Sequence, residues 1–169
     1  MQAKVAVIGA AVLIAGLFVA ASNALAASAQ AQASAVVVQP FSISNQAGLS
    51  FGHLYAGDSA GSVVMAVDGS RSASGGVAFA PSSEGSAAGF MVSGMPDASF
   101  SISLPQSAVL EAEGGHQMVV SDFISEPAAS GKLDGAGEQA LSVGAALQVQ
   151  AGQAVGAYAG SFEVVVEYN

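Results

Sequence analysis

Apolar and polar residues alternate one by one along much of this chain, the period of a strand whose two faces meet different surroundings. The clearest run is Ser99 to Leu104, with Phe100, Ile102 and Leu104 on one face and three serines on the other. A longer run places Leu141, Val143, Ala145, Leu147 and Val149 on one face, against Ser142, Gly144, Ala146 and Gln148. Near the end, Gly156 and Gly160 bracket Tyr158. Phe162, Val164, Val166 and Tyr168 then fall opposite Glu163 and Glu167, which predicts a final strand over Ser161 to Tyr168.

The same reading predicts a first strand over Val36 to Ile43, interrupted by Pro40, and a turn at Asn45 to Gly48. Short strands follow at Leu49–Leu54 and Val63–Val67, separated by a loop over Ala56 to Gly61. Asp68-Gly69 is a hairpin signal, with a return strand over Ser70 to Ala80 and a bulge at Gly75-Gly76. Further strands are expected at Gly89–Gly94, Ala108–Ala112 and His116–Ile124. Glu126 to Gln139 reads as a featureless loop. About eight or nine short strands joined by Gly-rich or Pro-rich turns imply an all-β antiparallel sandwich. Its expected core contains Phe51, Phe90, Phe100, Ile102, Leu104, Leu147, Phe162, Val164 and Val166. The final strand is expected beside the first, or beside a strand inserted there from another subunit.

The opening stretch does not alternate either. Val5 to Ala20 is an unbroken apolar run behind Lys4, and Ala24-Leu25-Ala26 puts small residues where a signal peptidase reads. Sixteen apolar residues are short for a membrane span, which needs about twenty. Residues 1–26 are therefore expected to be a cleaved signal peptide, with Ala29 and Ala31 as alternative cut sites. Residues 27–35, ASAQAQASA, are expected to form a flexible arm, and residues 36–169 the sandwich domain. The expected location is the periplasm, the cell surface or the medium, with no membrane association after cleavage.

Composition narrows the function. The chain carries three Lys and Arg against twelve Asp and Glu, a formal charge of −9. Losing Lys4 leaves Arg71 and Lys132 against those twelve acids. Such a chain repels phosphate backbones, so nucleic acid is not an expected partner. There is no cysteine, so stability must come from packing even in an export compartment that permits disulfides. Charged residues make up only 9% of the chain, which leaves a Ser-, Ala-, Gly- and Gln-rich surface suited to packing against copies of itself.

Candidate chemistry is sparse. His53 and His116 are the only histidines, and their spacing to Asp58 and Asp122 matches no ligand motif. No serine sits in a nucleophile elbow. Gly135 to Ala140 imitates a dinucleotide loop but is followed by a strand pattern, so it reads as a turn. Asp68-Gly69-Ser70 and Asp134-Gly135 complete no calcium loop. Arg71 is expected to pair with an acid or to serve a subunit contact. No catalytic, metal or cofactor residue is assigned, and an enzyme is not expected.

An ordered set of motifs carries a resemblance. It runs through Leu49-Ser50-Phe51-Gly52, Gly61-Ser62-Val63-Val64, Gly69-Ser70-Arg71 and Ser74-Gly75-Gly76-Val77 to Phe90-Met91-Val92-Ser93-Gly94. It continues through Ile102-Ser103-Leu104-Pro105, Met118-Val119-Val120 and Val143-Gly144-Ala145-Ala146-Leu147. It closes on Gly156-Ala157-Tyr158-Ala159-Gly160 and Val164 to Asn169. From about Val36 onward the chain resembles the bacterial domain-of-unknown-function 4402 family. The closing pattern also looks like that of spore coat protein U and the archaic chaperone–usher pilins. The resemblance implies an immunoglobulin-like, pilin-like sandwich completed by a neighbour's strand, although the cysteine pair of many pilins is missing. The expected function is a non-enzymatic, pilin-like or coat-like cell-surface subunit that self-assembles, or engages a chaperone and usher, through edge-strand pairing. The alternative is a monomeric secreted module that binds a carbohydrate or another surface ligand.

Overall fold

The computed structural model describes residues 28–37 and 39–169. The expected signal peptide and its preferred cut after Ala26 lie outside the described residues. Ser28 to Val37 forms no helix or strand and is exposed throughout. No helix among the described residues is long and apolar enough to cross a membrane.

From Phe41 onward the chain is built from ten strands: β1 (Ser42–Ala47), β2 (Leu54–Met65), β3 (Arg71–Phe79), β4 (Ala88–Ser93), β5 (Ser99–Ser103), β6 (Ser107–Glu111), β7 (Gln117–Glu126), β8 (Ser130–Lys132), β9 (Glu138–Val149) and β10 (Val165–Tyr168). Every pairing is antiparallel. Seven strands form one sheet, and β10-β5-β8 form a second.

β9 is the axis of the larger sheet. Val143 pairs with both Ala88 and Ser125, and Ala146 pairs with both Val64 and Ser121. A residue has two edges, so β7 occupies one edge of β9 while β4 and β2 share the other, end to end. Gly144 marks the junction. A Cβ there would lie 2.3 Å from the Met65 carbonyl oxygen, so only glycine lets β2 peel away at that point.

The two halves of β9 serve two cores. Its later half, with Ala145, Leu147 and Val149, packs with Val63, Met65, Val77, Met118, Val120 and Phe51. Its earlier half, with Leu141 and Val143, packs beneath the second sheet with Phe100, Ile102, Leu133 and Val164. The odd-numbered alternation expected over Leu141 to Val149 is thus the inward face of the central strand. Of the expected core, Phe51, Phe100, Ile102, Leu147 and Val164 are buried, while Phe90, Leu104, Phe162 and Val166 are half-buried around the second cluster.

Several expectations are corrected. Strand β1 starts at Ser42 and runs through the turn expected at Asn45, because Asn45 and Ala47 still pair with Phe90 and Gly89. Pro40, with no N–H to give a ladder, lies before it. Of the strand expected over Leu49 to Leu54, only Leu54 is in a strand, as the start of β2, and Ser50 makes one isolated bridge to Ser86. The loop expected over Ala56 to Gly61 lies inside β2, where four residues oppose Gly76 alone. The Asp68-Gly69 hairpin is present, closed by Ala66 N–H donating to the Ser70 carbonyl at 2.8 Å. The featureless stretch contains β8 and the buried Leu133. The final strand is only Val165–Tyr168, and it pairs with β5 in the smaller sheet, whereas β1 lies beside β4 in the larger one.

Candidate functional site

The titratable residues are spread over the surface. His53 precedes β2, with its backbone held by the Ser83 hydroxyl and by Ala80. His116 lies in the turn between β6 and β7. Asp58 is exposed within β2, and Asp122 sits at the β7 bulge with φ +52°, accepting a hydrogen bond from the Ser121 hydroxyl at 3.0 Å. Among the described residues, no three His, Asp or Glu side chains converge in the way a metal ion requires.

The remaining polar candidates serve the fold. Asp134 Oδ1 accepts from the N–H groups of Ala136 (2.8 Å) and Glu138 (2.9 Å), which closes the turn that had imitated a dinucleotide loop. Those two donors hold its carboxyl below the ordinary aspartate value. Asp68 is lowered likewise by the Ser70 hydroxyl and N–H in the hairpin turn. Arg71 does not pair with an acid. Its guanidinium donates to the carbonyls of Phe51 (2.6 Å) and Ser83 and lies 4.1 Å from the Phe79 ring centre. It therefore ties the Phe51 loop and the loop after β3 over the first core. The ion pair found is Lys132 with Asp97 at 2.9 Å, well exposed and therefore worth little.

What remains open is backbone. β10 is the outermost strand of the smaller sheet, and β1 and β3 end ladders in the larger one. Among the described residues no strand pairs with their other edges. Such edges present unpaired N–H and C=O groups, which templates pairing with another chain. β6 is partly closed by a two-bond bridge between Glu111 and Ala159.

Side chains converge at the end of β10. The Tyr168 ring stacks on Phe41 with centroids 3.7 Å apart, and its hydroxyl donates to the Gln39 carbonyl at 2.5 Å. The same hydroxyl accepts from Met95 N–H at 3.3 Å. Phe41 also meets Phe100 edge-on at 5.7 Å. First and last segments thus meet through side chains where strand pairing had been expected. Immediately before this contact, Val36 and Val37 are 85% and 96% exposed. Alternation alone gave both segments as strands. It carried no signal for the Phe41–Tyr168 stack, which depends on residues far apart in sequence.

No curated protein and no solved structure matches the chain. The model of one family matches residues 41–168, from the ring that stacks on Tyr168 through Tyr168 itself. The chain belongs to the family described as "Domain of unknown function (DUF4402)".

Proposed function

We propose that this protein is an exported, non-enzymatic structural subunit, pilin-like or coat-like, that assembles at the cell surface by edge-strand pairing. Its fold in this reading is an immunoglobulin-like sandwich completed by a neighbour. The observation that carries the proposal is the open outer edge of β10, found together with an exposed and uncharged leading segment that contains Val36 and Val37. An open edge invites association, and exposed valines gain by leaving water. A strand exchanged between copies makes the same backbone bonds as one that closes its own sheet, so assembly adds contacts without new chemistry. The scattered acids and the scarcity of charge on the sheet fit a subunit surface better than a catalytic one.

The test is deletion of residues 28–38. The exported chain is expected to form oligomers on size exclusion, while the shortened chain is expected to lose defined oligomers and to aggregate or require a chaperone. A full chain that elutes as one monomer at every concentration would contradict the proposal and favour the secreted binding module.

A further inference from the structure

Val63, Met65, Met118, Val120, Ala145 and Leu147 point into the first core, so the residues between them along each strand point out of the larger sheet. The strand order β6-β7-β9-β2-β3 sets these outward residues in two complete rows. One row runs Ser107, Ser121, Ala146, Val64, Ser72, and the next runs Val109, Val119, Gln148, Ser62, Ser74. None of the ten is charged and none is aromatic. The smaller sheet differs, with Glu167 and Lys132 exposed on β10 and β8.

Three of the ten are valines that still meet water: Val64, Val109 and Val119 are 43%, 45% and 42% exposed. They stand on both sides of β9, whose Gly144 and Ala146 are small and buried. The face is therefore a shallow furrow over Gly144 and Ala146 between two apolar ridges. Four of its polar side chains already bond in pairs. The Ser62 and Ser74 hydroxyls lie 3.0 Å apart, and Gln148 Nε2 donates to the Ser121 hydroxyl at 3.4 Å. Covering these groups keeps their bonds, so it costs less than burying unpaired ones.

Charge and area choose the occupant. Another copy carries the same −9 and is repelled wherever acids face acids. Across these rows two copies meet with no charge between them, because Glu111 and Asp122 lie at the rim, beyond Val109 and Ser121. A sugar finds no ring to stack on within the rows, and a cationic partner finds no acid. Five strands at about 4.8 Å, and about 20 Å of β9 from Gly144 to Gln150, give close to 500 Å² in projection. Two such faces together cover about 1,000 Å², the threshold of a specific but weak contact.

We infer that the outer faces of two larger sheets pack together in a two-fold dimer, with the valines of one copy over Gly144 and Ala146 of the other. Sheets pack face to face through side chains, so this contact makes no strand pairing and is independent of the open edges.

The test places one thiol in this cysteine-free chain and follows its alkylation rate in dilute and in concentrated protein. Val64→Cys and Val119→Cys report on the face, and Val155→Cys and Ala136→Cys, in exposed loops, are controls. Far-ultraviolet circular dichroism checks that each variant folds as the parent does. In concentrated protein the two face thiols should react about tenfold more slowly than in dilute protein, with both control thiols unchanged. Val119→Asp added to the Val64→Cys chain should restore the dilute rate. Salt screens the repulsion between copies and should deepen the protection. Face thiols that react equally fast at every concentration, in a chain that still oligomerises, would overturn the face contact and leave edge pairing standing. Slowing at all four positions would overturn it as well, since that is clumping without a preferred face. A chain that stays monomeric with every thiol unprotected would overturn both contacts.

Discussion

Phe100 is fully buried and holds the second core together from the centre of β5. Gly131 across the ladder leaves room for its ring, since a Cβ there would lie 2.5 Å from Phe100 Cζ. Phe100→Ala is expected to cost about 3–5 kcal/mol, the range for emptying a buried aromatic site, as read from a denaturant melt. A loss below about 1 kcal/mol would mean that the site collapses freely. Gly144→Ala tests the junction in β9. The added methyl meets the β2 backbone, not a flexible side chain, and should cost about 1–3 kcal/mol while leaving the secondary structure intact. Asp134 gives a pH signature. Its folded value lies below the ordinary 3.8, so its contribution is full above that value and is lost as pH falls through the lower folded one. Asp134→Ala should therefore lower the melting temperature at neutral pH, and the gap to the parent should close in acid. A gap of equal size at both would show that the carboxylate is not what holds the turn.

At the scale of elements, legibility depended on how local the cause was. The alternation in β5 and β9 was readable because each strand has one buried face, and burial writes itself into the sequence at period two. The hairpin at Asp68-Gly69 was readable because the turn needs a residue with positive φ, which Gly69 supplies at +83°. The long β2 was misread as two pieces, because Ala56 to Gly61 is exposed and glycine-rich. Its pairing is maintained by the backbone approach of Gly75 and Gly76, which no pattern within β2 announces. Leu133 was missed because a single apolar residue among glycines and acids has no period. The partner of β10 was misassigned because alternation specifies a face, not a neighbour. At this scale Tyr168→Phe is informative: it keeps the stack on Phe41 but removes the hydroxyl shared by Gln39 and Met95. Amide exchange at Gln39, Phe41 and Met95 should quicken, with β9 unchanged. Unchanged exchange at Gln39 and Met95 would show that stacking alone positions the segment.

For the molecule as a whole, two cores share one long strand, β9, and the outer edges of β1, β3 and β10 have no strand partner among the described residues. Sequence reading reached the all-β antiparallel sandwich, since short alternating strands between turns imply it. The junction at Gly144 was not legible, because β4 ends and β2 begins on the same edge of β9, and where a distant neighbour stops is not written in β9 itself. In the function we propose, this sandwich joins copies of itself. Sedimentation velocity of the exported chain over a hundredfold concentration range tests that claim most directly. Self-assembly predicts species that grow with concentration, that revert to monomer well below the dissociation constant, and that lose their defined sizes when residues 28–38 are removed. A single monomeric boundary at every concentration would contradict it.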